Sequence, residues 1–425
     1  MNSEHINSIF GITESYQLPD KLMSILFDRI KSKAIFEQFM SIGESLDHDW
    51  FTEYFEEEHS NKSKMAQDFT PKELCELLNV VSGRADVIAD VCAGTGGLSI
   101  SAWNQNKWAS FICYELSERA IPLLLFNLAI RNIAAKICRT NLLTGEIFEC
   151  YQTIKGEMFA NVEMLDTWED EQVDVVISNP PYSLKYNPKA DDRFSNLKEM
   201  LPSNFADFVF VAFAMRLLND TGKAVFILPH GVLFRSNKER LFRKMLIDNA
   251  IIKSVIGLPD KLFINTDIPT CIIELKKDGI QSGILFIDAK KECEKSGKKN
   301  IIRDDHLKKI TSAYKMRANI DRFAYVATLN EIIENDYNLN IPRYVDTFIP
   351  EPLPDPIELL EDLATLEVEA TRAKKKLVEM MKGVYGTTPE AERTLKQALG
   401  AYKREIMRQD ANYRQEVFKF EIDDE

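Results

Sequence analysis

Long apolar runs are missing from this sequence. A run such as residues 121–130 is too short to cross a bilayer and contains a proline and an asparagine. No basic segment followed by an apolar one opens the chain, so we expect no secretory signal and no contact with a membrane. The seven cysteines are scattered singly, without a Cys-x-x-Cys pair, which indicates neither a disulfide framework nor a zinc knuckle. We therefore expect a protein of the reducing cytoplasm.

Positive charge is also in deficit. The net charge is −13 and the isoelectric point is about 5.1. This balance argues against a chain that holds nucleic acid by itself, because neutralisation of phosphate charge drives non-specific affinity. If the protein acts on nucleic acid, a local basic surface or a partner subunit would have to provide the binding. The histidines lie at no metal-like spacing, so we expect no metal site.

The length of 425 residues predicts two to three domains, at roughly 150 residues each. Composition shifts along the chain divide it into four predicted segments. They are a helical region at 1–63, an α/β domain at 64–290, a mixed extension at 291–350, and a proline-rich linker with C-terminal helices at 351–425. We find no internal repeat.

Short apolar runs alternate with helical patterns in the α/β domain. The runs lie at residues 87–91, 111–115, 173–178, 224–228, 252–256 and 270–275. Alternation of this kind predicts a doubly wound, mostly parallel sheet. Ligands bind such sheets at the carboxyl ends of the strands.

A long helix with a coiled-coil seam is predicted near the C-terminus. Its apolar residues alternate spacings of four and three, which is the heptad pattern: Leu359, Leu363, Leu366, Ala370, Ala373, Leu377 and Met380. Thr388-Pro389 is typical of the N-cap and first-turn proline of a final helix. The seam packs either on the helices of a partner or on this chain's own domain, and the sequence leaves both open.

A glycine-rich loop follows the first run, at residues 90–97. Glycines there let the backbone turn sharply and approach a ligand. The loop alone is equally typical of NAD, FAD or S-adenosylmethionine binding, or of a plain strand-to-helix turn. Glu115 ends the second run, where an acid accepts hydrogen bonds from ribose hydroxyls. The dinucleotide pattern G-x-G-x-x-G is not completed, since Ser99 takes the last position, and this favours S-adenosylmethionine.

The tetrapeptide Asn179-Pro180-Pro181-Tyr182 follows the third run directly. An Asn side-chain oxygen and a Pro carbonyl can each accept a hydrogen from a planar amine such as N6 of adenine. Together they favour a tetrahedral nitrogen whose lone pair points at a methyl donor. The two prolines fix the backbone, and the Tyr182 ring offers a face for an extruded base. A Pro-Pro turn with no catalytic role is common in proteins. Because this one follows a strand and lies downstream of the glycine loop, the catalytic interpretation is favoured here.

At this point the sequence resembles the modification (M) subunits of type I restriction–modification systems, a family of N6-adenine DNA methyltransferases. The matching motifs occur in the family's order at residues 66–71, 90–97, 179–182, 228–235, 255–259, 267–270 and 336–344. The resemblance covers roughly residues 64–350. The C-terminal tail resembles the family only in being helical. It implies a Rossmann-like methyltransferase sheet with a small N-terminal helical region and a C-terminal, coiled-coil-like tail.

The resemblance implies a role for each matching residue. Asn179 and Pro180 would hold N6, Pro181 would help to fix the turn, and Tyr182 would stack on the base. The residues that would bind S-adenosylmethionine are Gln67, Asp68, Phe69, Thr70, Pro71, Lys72, Asp90, Ala93, Gly94, Thr95, Gly96, Gly97, Glu115 and Asn141. Two departures stand out: the family's proline in the glycine loop is absent, and Asn141 stands where an acid is expected near the adenine ring.

The resemblance also implies double-stranded DNA as substrate and a separate specificity subunit as partner, and it leaves open whether a restriction subunit joins them. No segment of this chain reads as an independent DNA-reading module, which agrees with a separate subunit. Three alternatives remain: a solitary DNA adenine methyltransferase, a protein methyltransferase that acts on a glutamine amide, and a binding subunit without activity.

Overall fold

The structure is a computed structural model that describes residues 3–43, 45–51, 54, 70–187, 192–202, 204–263, 266–280, 283–297, 299–348 and 355–420. The chain divides into two compact units, residues 1–348 and 349–425.

The first unit carries the sheet. Its helices are α1 (Ser3–Phe10), α2 (Leu18–Leu26), α3 (Arg29–Ser41), α4 (Lys72–Ser82), α5 (Gly97–Gln105), α6 (Ala120–Ile130), α7 (Asp207–Leu217), α8 (Gly231–Phe234), α9 (Lys238–Asp248), α10 (Asp304–Met316) and α11 (Leu329–Glu334). Its strands are β1 (Val87–Val91), β2 (Ser110–Glu115), β3 (Ala135–Asn141), β4 (Glu146–Ile154), β5 (Asn161–Leu165), β6 (Val173–Ser178), β7 (Leu218–Pro229), β8 (Ile252–Gly257), β9 (Thr270–Lys276), β10 (Ile284–Asp288), β11 (Glu294–Ser296), β12 (Lys299–Ile301) and β13 (Ala324–Ala327).

Eleven of the strands in the described ranges form one mixed sheet, in the order β13-β10-β8-β9-β7-β6-β1-β2-β3-β4-β5. Neighbours from β3 through β2, β1 and β6 to β7 run parallel, and β9 runs antiparallel between β7 and β8. Parallel neighbours need a crossover connection, and α5 and α6 supply two of them. The predicted doubly wound α/β fold is confirmed, but the prediction of a mostly parallel sheet is wrong, because five of the ten neighbouring pairs in this sheet are antiparallel.

The six apolar runs correspond to β1, β2, β6, β7, β8 and β9. They do not include β10, which is also apolar and buried, whereas β3 and β4 are less continuously apolar. In β3, charged Lys136 and Arg139 interrupt the apolar pattern. In β4, the first three residues are exposed, because this strand lies near one edge of the sheet. Strands at an edge need less apolar sequence, and a search for buried runs does not find them.

The N-terminal helices share an apolar core with the sheet. The rings of Phe10, Phe36, Phe39 and Phe51 surround Phe126 of α6, with centroid separations of 5.0 to 5.7 Å. These five rings are all buried. Offset and edge-on aromatic pairs add to the stabilisation that burial provides. The helical region therefore packs directly against the helix that follows β2.

The second unit consists of α12 (Pro356–Met381) and α13 (Pro389–Phe420). The predicted helix start is confirmed, because Thr388 Oγ accepts the N–H of Ala391 at 3.2 Å. No residue of α12 is buried, and the apolar seam residues are exposed. None of the described helices combines the length and the apolar character that a membrane span requires.

Candidate active site

Three neighbouring strands end at one level of the sheet. Val91, the last residue of β1, is in register with Tyr114 of β2 and with Ser178 of β6. The glycine loop starts after Val91, and Glu115 and Asn179 are the next residues on the two neighbouring strands. The predicted cofactor loop, the predicted ribose ligand and the Asn-Pro-Pro-Tyr turn therefore lie together at the carboxyl ends of the central strands. Parallel α/β sheets bind their ligands at these strand ends.

The glycine loop turns through three residues with left-handed backbone, of which Cys92 has a φ of 67°. Gly94 has a φ of 57° and Gly96 a φ of 97°. The N–H of Gly96 donates to the carbonyl of Ala93 at 2.9 Å, and α5 begins at the next residue. The first N–H groups of a helix have no partner inside the helix. The loop therefore combines close backbone approach with the positive end of a helix, a combination that suits a polar ligand.

Glu115 is buried, with only 5% of its surface exposed. Its Oε2 accepts the N–H of Gly94 at 2.7 Å, and its Oε1 accepts the N–H of Ser117 at 2.7 Å. The side chain thus holds the glycine loop at the end of β2. The ribose-binding role assigned to Glu115 stays a prediction.

Asp90 has a different environment from the rest of the loop. Its side chain is fully buried, and its Oδ2 accepts the N–H and the hydroxyl of Ser99 at 3.1 and 2.6 Å. The other oxygen has no partner among the described residues. Burial raises the pKa of this carboxyl to about 7, against the opposing effect of the Ser99 hydrogen bonds. Asp90 therefore connects β1 to the first turn of α5, and this contact lies beneath the loop.

Thr95 is tied to the N-terminal region. Its hydroxyl donates to Oδ2 of Asp49, and Oδ1 of Asp49 accepts from Nδ2 of Asn127 at 2.7 Å. The same amide nitrogen donates to the carbonyl of Thr95 at 2.8 Å. Both oxygens of one carboxylate thus link the glycine loop to α6. The side chain of Thr95 points to Asp49, so a cofactor contact here would have to come from its backbone.

Arg131 anchors the same N-terminal segment. Its Nε donates to the carbonyl of Leu46 at 2.8 Å and its Nη2 to the carbonyl of His48 at 2.6 Å. The guanidinium carbon lies 4.5 Å from the centre of the Trp50 ring. Burial lowers the pKa of Arg131 to about 10, which leaves it charged at neutral pH. A buried cation therefore holds residues 46–50 against the domain that carries the site.

The Asn-Pro-Pro-Tyr turn has a defined arrangement of polar atoms. Asn179 is half-buried, its Nδ2 donates to the hydroxyl of Thr70 at 2.9 Å, and its Oδ1 accepts the hydroxyl of Tyr182 at 2.6 Å. Pro180 is buried, and Pro181 is half-buried. The ring of Tyr182 meets the ring of Phe263 edge to face, with centroids 6.3 Å apart. The turn is therefore held on one side by Thr70 and covered on the other by an aromatic side chain.

A cleft of about 850 Å³ lies next to the site, although neither Asn179 nor Tyr182 is among its lining residues. Thr70, Gly97 and Phe263 line it, together with parts of α4, α5, α10 and β12. Its lining includes the acidic Glu73 and the basic Lys299. The volume is in the range of ligand-binding clefts.

The structure gathers most, but not all, of the predicted cofactor residues. Asn141 ends β3, and its Oδ1 accepts the N–H of Leu143 at 3.0 Å. Pro71 precedes α4, and Lys72 is exposed and pairs with Asp47 at 3.5 Å. Gln67, Asp68 and Phe69 lie outside the described residues. The roles assigned to all of these residues stay predictions.

Sequence reasoning missed two residues of this site, Phe263 and Asp49. Phe263 follows β8 and contacts the Tyr182 ring across 81 residues of sequence separation (263 minus 182). Asp49 bonds to Thr95 across 46 residues. Neither carries a local signal, since Asp49 lies in a charged stretch and Phe263 is one of 25 phenylalanines. The one sequence signal close to Phe263 is the motif that ends in Leu258-Pro259.

Known proteins are similar to this chain in sequence and in fold. The sequence matches the N-6 DNA Methylase family over residues 48–351, well over half of the chain. The methylase subunit of the type I restriction enzyme MpnII from Mycoplasma pneumoniae is 29% identical over 299 residues, which cover 66% of this chain and 53% of that protein. The MjaVIII methylase subunit from Methanocaldococcus jannaschii is 29% identical over 347 residues, which cover 76% and 56%.

A solved structure is also similar. The type I restriction–modification methyltransferase subunit from Streptococcus thermophilus is 34% identical, with a TM-score of 0.59 over 70% of this chain and 63% of that one. This chain spans about half the length of the two curated relatives, 53% and 56%. The family match, the fold and the order of the motifs along the chain agree. This chain belongs to the N-6 DNA Methylase family.

Proposed function

We propose that this chain transfers a methyl group from S-adenosylmethionine to N6 of an adenine in double-stranded DNA, as the modification subunit of a type I system. The observation that carries the proposal is the position of Asn179 at the end of β6, beside the glycine loop. The family membership and the type I methylase subunits among the relatives support the same chemistry.

The residues of the turn address the poor nucleophilicity of adenine N6. The lone pair of this nitrogen is delocalised into the ring. Two acceptors, Oδ1 of Asn179 and the carbonyl of Pro180, take one N6–H each and favour a tetrahedral nitrogen. Pro181 restricts the preceding backbone, so the carbonyl is oriented before the base arrives. Catalysis then rests on orientation and proximity.

The cofactor site has donors and acceptors that suit S-adenosylmethionine. The backbone of residues 94–97 would lie along the methionine part, and the Glu115 carboxylate would accept ribose hydroxyls. Asn141 at the end of β3 lies within the same edge and would contact the adenine ring. Bound there, the cofactor supplies the methyl group, and the protein supplies its alignment with N6.

The target base has to leave the helix stack to reach Asn179. The Tyr182 ring would stack on the extruded adenine, as the family resemblance implies. In the free protein the Tyr182 hydroxyl donates to Oδ1 of Asn179, the atom that would accept N6–H. The base therefore has to share this acceptor with Tyr182 or replace its hydroxyl there.

Tyr182→Phe is expected to lower the KM for DNA by about fivefold with little change in kcat. The variant keeps the stacking ring but removes a hydrogen bond that contributes about 1 kcal/mol to the free state. Tyr182→Ala is the matched comparison, because it also removes the ring. It should raise the KM, since stacking on an aromatic side chain contributes ~1–3 kcal/mol per base. Equal KM values for the wild type and Tyr182→Phe would contradict the competition.

A specificity subunit would read the DNA sequence, and the exposed seam of α12 is the surface proposed to bind it. The seam places apolar residues at heptad spacing with no buried position along the helix. An exposed apolar stripe with this regular spacing is typical of a helix that packs on another helix. If the specificity subunit provides most of the DNA binding, this chain can carry a net charge of −13.

Deletion of residues 356–425 is expected to abolish co-purification with that subunit. Leu363→Glu combined with Leu377→Glu should weaken it strongly, because both changes place charge in the seam. Glu361→Gln combined with Glu369→Gln is the control, since these residues lie off the seam. The measurement is co-expression with the proteins encoded by the neighbouring genes, followed by affinity purification. Retention of the partner by the deletion variant would place the docking surface elsewhere.

The proposed activity is tested with the purified chain, DNA and S-adenosylmethionine labelled in its methyl group, with and without the neighbouring gene products. We expect label in DNA only when the partner is present. Label in DNA with the chain alone would favour a solitary enzyme. Label in protein, with none in DNA, would overturn the proposal in favour of glutamine methylation.

A further inference from the structure

The segment that follows the Asn-Pro-Pro-Tyr turn is held by a buried carboxylate. Ser183 has a φ of 57°, a left-handed backbone conformation that non-glycine residues adopt with strain. Its N–H donates to Oδ1 of Asp207 at 2.9 Å. Asp207 is the first residue of α7 and is fully buried. A local strain of this kind persists only where the surroundings enforce it, and Asp207 provides that enforcement.

The second oxygen of Asp207 is neutralised by an arginine. Nη1 of Arg235 donates to Oδ2 of Asp207 at 2.8 Å and to Oε1 of Glu239 at 3.1 Å. The Arg235 guanidinium carbon lies 3.9 Å from the centre of the Phe205 ring. A carboxylate that is fully buried requires a charge partner and hydrogen bonds, and Arg235 together with Ser183 supplies both.

The sequence motif at residues 228–235 builds the place for this arginine. The chain turns after β7 into the short helix α8, and Arg235 follows that helix directly. A Cβ at position 231 would clash with Nε of Arg235, so any other residue there requires the guanidinium to shift. The motif at residues 228–235 therefore positions Arg235, a role that the proposed methyl transfer does not by itself explain.

We infer that Asp207 and Arg235 are positioning residues, which hold Ser183 and thereby orient Asn179 and the Pro180 carbonyl toward the reacting nitrogen. The inference rests on the proposed function and adds residues that touch neither the base nor the cofactor. Ser183 is the residue next to Tyr182, so the turn is held from both ends, by Thr70 at Asn179 and by Asp207 at Ser183. Displacement of a reacting group by about 1 Å lowers rates on the order of 10²-fold.

Asp207→Ala is expected to lower kcat on the order of 10²-fold, with the KM for DNA and the Kd for S-adenosylmethionine within threefold of the wild type. Arg235 keeps Glu239 as a charge partner in this variant, which favours folding. Asp207→Asn should recover part of the lost kcat, because its amide oxygen can again accept the Ser183 N–H. Glu239→Gln is the matched control: it changes a contact of the same arginine that does not reach the turn, and its kcat should stay within threefold.

Hydrogen–deuterium exchange of a peptide that spans residues 179–187 supplies a readout that does not need activity. Exchange at Ser183 should be at least tenfold faster in Asp207→Ala than in the wild type and unchanged in Glu239→Gln. Equal exchange in Asp207→Ala and the wild type, or equal loss of kcat in Asp207→Ala and Glu239→Gln, would overturn the inference. A wild type that transfers no methyl group, together with the expected exchange pattern, would instead overturn the proposed function and leave the positioning contact supported.

Discussion

Asn179→Ala is expected to lower kcat for DNA methylation on the order of 10²–10³-fold, the effect of removing one preoriented polar group from an active site. The side chain supplies the acceptor that favours a tetrahedral N6. Its Nδ2 donates to the hydroxyl of Thr70, so the amide is oriented before the substrate arrives. Alanine removes the acceptor and releases the Thr70 hydroxyl. The Kd for S-adenosylmethionine should change by less than threefold.

The measurement is single-turnover methyl transfer at saturating DNA and cofactor, with calorimetry for the cofactor alone. Asn249→Ala is a suitable control, because this exposed asparagine caps the end of α9 away from the turn. Its kcat should equal that of the wild type. If Asn179→Ala retained most of its activity, the role assigned to the turn would be wrong.

Gly96→Val is expected to weaken S-adenosylmethionine binding by about 10- to 100-fold, because strain and overpacking each contribute ~1–3 kcal/mol. Gly96 has a φ of 97°, and a Cβ there would lie 2.8 Å from Cδ1 of Leu124, which is itself fully buried. The loop or α6 has to shift, and the shift moves the backbone groups that would contact the cofactor. Gly94→Val, at a φ of 57°, should act in the same direction.

Gly279→Val separates backbone strain from loss of the site. Gly279 has a φ of 63° and open space around its Cβ position, between β9 and β10. The variant should lose stability but bind S-adenosylmethionine as tightly as the wild type. Calorimetric titration of each folded variant, checked by thermal unfolding, measures the difference. Cofactor affinity that is unchanged in Gly96→Val would place the cofactor away from this loop.

The central strands were predictable because they are buried on both faces. β1, β6, β8 and β9 each contain a cluster of apolar residues, and each has at most one residue outside the buried class. β4 and β5 lie at the sheet edge, where one face is exposed and polar residues are tolerated. Their sequences therefore resemble those of loops. The antiparallel position of β9 also depends on tertiary pairing that no local pattern encodes.

The main elements of the candidate site follow the same logic. The glycine loop and the Asn-Pro-Pro-Tyr turn each combine a buried strand with residues of special backbone geometry, which makes them visible locally. The partners of these motifs are not visible, because Asp49, Asp207 and Phe263 reach the site across long stretches of chain. The residue type alone does not reveal that the Asp207 carboxylate is buried. Only the hydrogen bond from the Ser183 N–H shows that Asp207 contacts the segment after the turn.

The most direct test of the central claim is the identity of the methylated nucleoside. DNA treated with S-adenosylmethionine, this chain and the neighbouring gene products is digested to nucleosides and analysed by mass spectrometry. We expect N6-methyl-2′-deoxyadenosine as the product, formed on the order of 10²–10³-fold more slowly when Asn179→Ala replaces the wild type. Methylation of a cytosine, or an adenine product that forms as fast with Asn179→Ala as with the wild type, would contradict the proposed function.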